Sequence, residues 1–197
     1  MVGSSSPLPC MDRTDSYTVF DLIQSVLGEF QNIQSQLQLQ RPNVNVLDGH
    51  GTVVRTTKST VPDLVNLTAT LTPSRLTQDV ATLQLTFRSG QPFPGEPPLV
   101  WSINGEKGEI RLRAEAGTSI NASATPVTIE IHDFSTDQVE NIEWSWEDWQ
   151  NELPAAARNI GLLYEAFATG DETAYPSFED ALRRHEQLED MLARWEE

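Results

Sequence analysis

The chain has 197 residues, of which 38% are hydrophobic, 29 are acidic and 13 are basic, so its formal net charge is −16. This length suits a single domain, and the acidic balance argues against binding to a nucleic-acid backbone. The single cysteine, Cys10, excludes an internal disulfide framework and a cysteine-based zinc site. Residues 1–10 lack a signal-peptide pattern and no apolar stretch is long enough to span a membrane, so we expect a soluble cytoplasmic protein.

The amino-terminal part of the chain predicts a short tail, one helix and a series of strands. Residues 1–14 are rich in Ser and Pro and are predicted to be flexible, whereas residues 15–197 are predicted to form one domain. An apolar stripe predicts a helix over residues 17–27, with Asp15 or Ser16 as its N-cap. Strands are then predicted over residues 30–39, 53–54, 64–71, 81–87, 99–104, 108–113, 127–131 and 139–146.

Three of these strands combine an apolar face with a polar face that carries no charge. Residues 64–71 and 81–87 alternate apolar side chains with Asn, Thr and Gln, and residues 30–39 have a glutamine-rich outer face. Such a face is typical of an ordinary wet sheet surface, but also of an interface or a ligand floor. The pattern leaves these alternatives open.

The clearest local pattern is a β-hairpin over residues 99–113. Leu99, Trp101 and Ile103 alternate with smaller or polar residues, and the segment between Gly105 and Gly108 is typical of a hairpin tip.

Two helices are predicted to close the chain. The first covers residues 156–169 and ends at Gly170, and the second begins at Ser177, with Asp180 completing an approximate capping box. The stripe expected to be buried on the last helix contains Phe178, Ala181, Leu182, His185, Leu188, Leu192 and Trp195. Together the elements predict an α+β fold, with an open, mostly antiparallel sheet and the amino-terminal and two carboxy-terminal helices packed on one face.

Few residues in the sequence are candidates for catalysis or for binding a ligand. The sequence contains no glycine-rich phosphate cradle, no nucleophile elbow and no closely spaced histidine pair, so we expect neither a bound cofactor nor a metal. The densest polar cluster provides the candidate catalytic residues Asp12, Asp15, Tyr17 and Asp21, although helix capping in a solvated loop explains the same residues. Phe87, Phe93 and Trp101 are candidates for an apolar substrate pocket, with core packing as the alternative.

Four segments, in the right order, resemble the C-terminal domain of the glucose–fructose oxidoreductase/inositol dehydrogenase family, in the fungal branch that contains the galactose-pathway repressor. The resemblance covers residues 17–196, nearly the whole chain. The segments are residues 20–30, 101–110, 153–167 and 178–185.

In that family this domain follows an N-terminal Rossmann domain that binds NAD(P), and its sheet lines the substrate pocket and often a dimer interface. We expect the Rossmann domain to be missing here. The family's Asp-x-Gly-x-His-x-x-Asp segment, aligned on Asp21, places Thr18 where its histidine should be, so only Asp21 carries over. The resemblance therefore predicts no hydride transfer by this chain alone. It implies that Trp101, Arg111 and Arg113 line whatever the bared sheet now contacts.

Three functional hypotheses follow. The first is a cofactor-independent cyclase or isomerase, including a pericyclic one, of fungal specialised metabolism. Such an enzyme holds a flexible small molecule in a reactive shape. The second is a non-catalytic ligand-binding or regulatory protein like the repressor, and the third is one subunit of a split NAD(P)-dependent oxidoreductase. The sequence narrowly favours the first. Because an exposed sheet needs cover, we also expect a homodimer through the sheet face, with a small-molecule ligand and with no nucleic-acid or membrane partner.

Overall fold

The computed structural model describes residues 13–90, 93–115, 127–154 and 157–196, which belong to two compact units. Unit 1 is formed by the chain up to Gly90 together with the segment from Ser177, and unit 2 by residues 91–176. Unit 1 contains α1 (Arg13–Leu27), β1 (Phe30–Gln38), β2 (Asn43–Leu47), β3 (Val53–Lys58), β4 (Leu64–Leu71), β5 (Thr82–Arg88) and α4 (Phe178–Glu196). Unit 2 contains β6 (Leu99–Asn104), β7 (Gly108–Ala114), β8 (Val127–Asp133), β9 (Gln138–Asn141), α2 (Asp148–Asn151) and α3 (Arg158–Thr169).

The core of unit 1 lies between a three-stranded sheet and two helices. The sheet is antiparallel in the order β1-β4-β5, while α4 contacts both α1 and β1. In β4 the buried residues alternate with more exposed ones, because successive side chains of a strand point to opposite faces. The most completely buried side chains of this core are those of Phe20, Val65, Leu67 and Met191, each at most 2% exposed.

The connection from α1 to β1 depends on a glycine. Gly28 has a φ of +105°, and a Cβ atom there would lie 2.9 Å from the hydroxyl oxygen of Thr72. The same Thr72 hydroxyl accepts a hydrogen bond from the backbone N–H of Glu29, at 2.8 Å. The predicted helix end at Gly28 is therefore confirmed, and the chain turns so closely there that a side chain would collide. The helix begins at Arg13, earlier than predicted, so Asp15 and Ser16 lie in its first turn rather than at its N-cap.

Strands β2 and β3 form a separate two-stranded antiparallel ribbon. The sequence predicted only a short edge strand at Val53 and Val54 and missed β2 entirely. Asn is a poor strand former, and β2 contains Asn43 and Asn45, so its pairing with β3 is what holds it extended.

Unit 2 contains a four-stranded antiparallel meander in the order β6-β7-β8-β9. The hairpin predicted from residues 99–113 is confirmed, with Gly105 N–H donating to the carbonyl of Gly108 at its tip. The strand predicted over residues 139–146 is wrong beyond Asn141, where β9 ends. The residues that follow belong to no strand, and Trp144 and Trp146 contact each other edge to face with ring centroids 5.7 Å apart.

The two predicted C-terminal helices are present, but the buried face of the last one differs from the prediction. α3 ends at Gly170, as predicted, in a left-handed conformation with a φ of 72°. At the start of α4, Asp180 N–H donates to the Ser177 hydroxyl and Ser177 N–H donates to the Asp180 carboxylate, which confirms the capping box.

The face that α4 buries is centred on Arg184, Leu188 and Met191, all at most 6% exposed. Phe178 and Leu182, predicted to be buried, are instead 92% and 58% exposed. Ala181 and His185 are also exposed, whereas Leu192 and Trp195 are half-buried. The predicted stripe is therefore correct only toward the C-terminal end of the helix. The physical reason is that Arg184 turns inward to meet acidic partners on α1 and at the start of β1.

The α+β class with open antiparallel sheets is confirmed. None of the helices in the described part of the chain is both long and apolar enough to cross a bilayer. The single domain predicted over residues 15–197 stays a prediction.

Candidate functional site

The candidate site is the outer face of the three-stranded sheet in unit 1. It lies on the side of the sheet opposite the buried residues of β4. Its members are uncharged amides and hydroxyls that alternate with inward-facing residues along the three strands. We call this surface the amide face and define it by Gln34, Gln36, Asn66, Thr68, Gln84 and Thr86.

The strand register arranges these six residues in two rows across the sheet. One row runs from Gln34 through Thr68 to Gln84. The other row runs from Gln36 through Asn66 to Thr86, where the Thr86 hydroxyl donates to the Asn66 side-chain oxygen at 3.0 Å. The rows line an open concavity with a volume of about 330 Å³. The site is thus a shallow, flat-floored surface.

The chemistry of the amide face is that of binding. Each Asn and Gln amide both donates and accepts hydrogen bonds, and so does each Thr hydroxyl. None of these side chains ionises near neutral pH, so the six residues cannot supply a general acid or base. The face carries no acidic residue in a chain whose formal net charge is −16.

The predicted catalytic residues are only partly described. Asp12 lies outside the described residues, and Asp15 and Tyr17 lie on α1. Asp21 also lies on α1, where its carboxylate is 3.6 Å from Nε of Arg184 on α4. The side chain of Asp21 therefore takes part in a charge cluster between two helices. A catalytic role for these four residues stays a prediction.

The predicted substrate-binding residues do not form one group. Phe87 lies on β5 opposite Val65, which faces the core, so Phe87 belongs to the inner face of the sheet rather than to the amide face. The other four candidates lie in unit 2, where Phe93 precedes β6 and is 69% exposed.

Within unit 2, the register separates the aromatic candidate from the two basic ones. Trp101 pairs with Leu112, while Arg111 and Arg113 lie opposite Ser102 and Val100 and thus on the other face of the sheet. Arg111 pairs with Glu109 at 3.0 Å, and Arg113 pairs with Glu130 at 3.2 Å. Both guanidinium groups are therefore engaged in ion pairs within the sheet.

The ion pair between Arg111 and Glu109 changes the pKa of the Glu109 carboxyl. A hydrogen bond from Arg111 to the Glu109 carboxylate, followed in size by one from Ser102, lowers the pKa of Glu109. Both donors stabilise the ionised carboxylate. Glu109 consequently remains charged at any pH near neutrality and cannot serve as an acid there.

No three His, Cys, Asp or Glu side chains come together as a metal site in the part of the chain that the structure describes.

Two features of unit 1 were not identified as site residues from the sequence. The polar outer faces of these strands and an open antiparallel sheet were predicted from the sequence, but the order β1-β4-β5 and the register that joins the three faces were not. The ribbon of β2 and β3 was missed, although the alternation of Asn43, Val44, Asn45 and Val46 after Pro42 is the signal that could have revealed it.

The comparisons with known proteins agree with this fold. Residues 17–114 match the family model described as "Gal80p, C-terminal domain". No curated protein matches the sequence. The solved structure of the transcriptional regulator Gal80p from Kluyveromyces lactis superposes with a TM-score of 0.67 at 18% identity, covering 95% of this chain and 44% of that one.

A second solved structure is similar in the same way. It is a super-repressor mutant of Gal80p from Saccharomyces cerevisiae, with a TM-score of 0.60, 17% identity and coverage of 92% of this chain and 47% of that one. The chain thus spans less than half of the length of either solved protein. The family resemblance seen in the sequence is confirmed: the chain carries a Gal80p C-terminal-like domain.

Proposed function

We propose that this chain is a non-catalytic regulatory module that acts by self-association through the amide face. The observation that supports this proposal is a surface of uncharged side chains, each able to donate and to accept hydrogen bonds, on a strongly acidic chain. Of the three hypotheses from the sequence, the regulatory one has the better support, because both solved relatives are forms of a transcriptional regulator. Nothing in the comparisons favours a cyclase or an isomerase.

The electrostatics favour pairing of like faces. Two copies that each carry a net charge of −16 repel one another wherever acidic surfaces meet. A two-fold symmetric contact brings the same patch from both copies together, so that patch must be complementary to itself. Amides and hydroxyls meet this requirement, because each group can donate to its counterpart and accept from it.

The size of the amide face limits the affinity expected for the proposed dimer. The amide face spans three strands and three residues along each strand, which gives a footprint of about 14 Å by 10 Å, or about 140 Å². Standard interfaces bury about 800 Å² per partner. The amide face alone is therefore much smaller than a standard interface and predicts a weak dimer.

Sedimentation velocity over about 1–200 μM protein tests the proposal. The key variant is Asn66→Asp, which keeps the oxygen that accepts from Thr86 and adds a charge on the central strand. Two carboxylates about 10 Å apart repel by about 1.7 kcal/mol at an effective dielectric constant of 20, which weakens the dimer roughly tenfold.

The matched control is Asn159→Asp, which adds the same charge in the first turn of α3. We expect it to leave the dissociation constant unchanged, since an acidic residue is favourable at the N-terminal end of a helix. Salt at 1 M should restore dimerisation of Asn66→Asp, because it shortens the Debye length to about 3 Å. A wild-type protein that stays monomeric throughout, or equal dimerisation of the two variants, would refute the proposal.

A further inference from the structure

The tip of the β6–β7 hairpin contains the only asparagine of the sequence that is followed by glycine, Asn104-Gly105. Asn104 is the last residue of β6, and residues 104–107 are all exposed. The side-chain amide of an asparagine can be attacked by the backbone nitrogen of the next residue, and glycine hinders this attack least because it has no Cβ. Asparagine is accordingly among the thermolabile residues of proteins. By its sequence, this tip is the position in the chain best suited to spontaneous loss of an amide.

The reaction needs no reagent other than water. The backbone nitrogen of Gly105 loses its proton and attacks the side-chain carbonyl carbon of Asn104, so that a C–N bond forms and ammonia leaves. The product is a cyclic imide, and water then opens the ring at either of its two carbonyl groups. One opening gives aspartate, and the other gives isoaspartate, in which the main chain runs through the side chain. No electrons are transferred, and an amide and water become a carboxylate and ammonium.

The folded hairpin holds the attacking nitrogen. The N–H of Gly105 donates to the carbonyl of Gly108 at 2.8 Å, and Asn104 pairs with Glu109 across the two strands. An N–H group that donates to a carbonyl gives up its proton only after local opening, which is the condition that also governs hydrogen exchange. β6 stands first in the strand order β6-β7-β8-β9, so within the described sheet its end opens by separating from β7. Opening of the hairpin end therefore limits the reaction.

The product would change the tip in two ways. Asn104 lies directly opposite Glu109, whose carboxylate is paired with Arg111 at 3.0 Å. A second carboxylate at position 104 would face the first, and like charges directly opposite each other destabilise paired strands. The isoaspartate form also adds one atom to the main chain, which disturbs the register of the tip. Both products loosen the end of the hairpin.

We propose that Asn104 is a site of spontaneous deamidation, gated by opening of the β6–β7 hairpin, which converts the tip with time into a looser and more acidic form. Each converted chain gains one negative charge on a formal net charge that is already −16. The proposal concerns the hairpin alone and does not depend on the self-association proposed above.

The rate of conversion tests the proposal. The full chain and a synthetic peptide of residues 101–108 are incubated at mildly alkaline pH, and peptide mass spectrometry follows the gain of about 1 Da at Asn104. We expect conversion in the protein to be at least about threefold slower than in the peptide, because the N–H of Gly105 is held. Urea should raise the rate in the protein toward that of the peptide and should raise hydrogen exchange of the Gly105 N–H in parallel.

Gly105→Ala is the matched variant. A Cβ there would lie 3.4 Å from the carbonyl oxygen of Gly108, and Gly105 is not among the glycines with a positive φ, so the hairpin tolerates alanine. We expect this variant to convert at least about threefold more slowly than the wild type in both the protein and the peptide, because the methyl group hinders the attack. Hydrogen exchange of β6 and β7 verifies that the hairpin remains folded.

Asn104→Asp reproduces the aspartate product and tests its consequence. We expect the Gly105 N–H to exchange at least about threefold faster in this variant than in the wild type. Adding Glu109→Gln removes the opposing charge and should restore slower exchange.

Three results would overturn the proposal. Conversion in the protein as fast as in the peptide would show that the hairpin is not the gate. No detectable conversion over about thirty half-lives of the peptide reaction would show that Asn104 is not a modification site. Equal exchange of the Gly105 N–H in Asn104→Asp and in the wild type would show that the product does not loosen the tip.

Discussion

The ion pair between Glu29 and Arg184 permits a sharp test of what holds unit 1 together. Arg184 lies on α4 with its side chain 7% exposed, and its two terminal nitrogens contact the two Glu29 oxygens at 2.7 and 3.0 Å. Its Nε is 3.6 Å from the Asp21 carboxylate. The neighbouring Arg183 also reaches Glu29, at 3.1 Å, but its side chain is 46% exposed.

The perturbation is Glu29→Ala. It removes both short contacts and leaves a buried guanidinium with only the more distant Asp21. Removing one partner of a buried ion pair typically costs about 3–5 kcal/mol, because the remaining charge is uncompensated. Since the Glu29 side chain is itself 30% exposed, we expect the lower end of this range, about 3 kcal/mol of the free energy of unfolding.

Arg183→Ala is the matched comparison on the same helix. An exposed ion pair contributes about 0–1 kcal/mol, so this variant should be nearly as stable as the wild type. Native-state hydrogen exchange of the α1 and α4 amides in urea measures both changes within unit 1. A loss below about 1 kcal/mol in Glu29→Ala, or equal losses in the two variants, would show that the burial argument is wrong.

Three further predictions concern other contacts of unit 1. Asp63→Ala should lower the free energy of unfolding by about 2 kcal/mol and speed hydrogen exchange in the ribbon of β2 and β3, because two backbone N–H groups lose their acceptor. Gly28→Ala should destabilise by at least about 1 kcal/mol in urea titrations, since a φ of +105° and the close Thr72 hydroxyl disfavour a Cβ. Hydrogen bonds from Ser177 lower the pKa of Asp180, so its ionised form adds stability above about pH 4, and that stability is lost as the pH falls through the lowered pKa. Ser177→Ala should raise the pKa of Asp180 toward its ordinary value in an NMR titration.

Much of the fold could be predicted from the sequence because it depends on local patterns. The hairpin of β6 and β7 follows from alternation and two glycines, and β4 follows from eight alternating residues. The helix ends at Gly28 and Gly170 follow from the tolerance of glycine for positive φ. These features involve residues that are neighbours in the chain.

The errors come from contacts between distant residues. The apolar periodicity of α4 predicted that Phe178 and Leu182 would be buried, but both are exposed. The helix instead buries the face that carries Arg184, which pairs with Glu29, 155 positions away. Periodicity alone does not register such a pairing.

The candidate site also depends partly on local patterns and partly on contacts between distant residues. The polar outer faces of single strands were evident from the sequence, yet the amide face exists only because the register sets Thr68 between Gln34 and Gln84. Conversely, the family resemblance implied that Trp101 and Arg113 line the same surface, whereas strand pairing places them on opposite faces.

The way in which unit 1 is assembled affects how the protein is made. Its core needs Leu188 and Met191 from α4, whereas its sheet is complete by Arg88, and the whole of unit 2 is encoded between them. During synthesis the sheet of unit 1 emerges from the ribosome first and waits with its apolar face uncovered until α4 follows. Unit 2 can pair its four strands during that interval. The sheet of unit 1 is therefore translated before unit 2 but completes its core after it, and the interval before α4 arrives is when this apolar face most needs protection by chaperones.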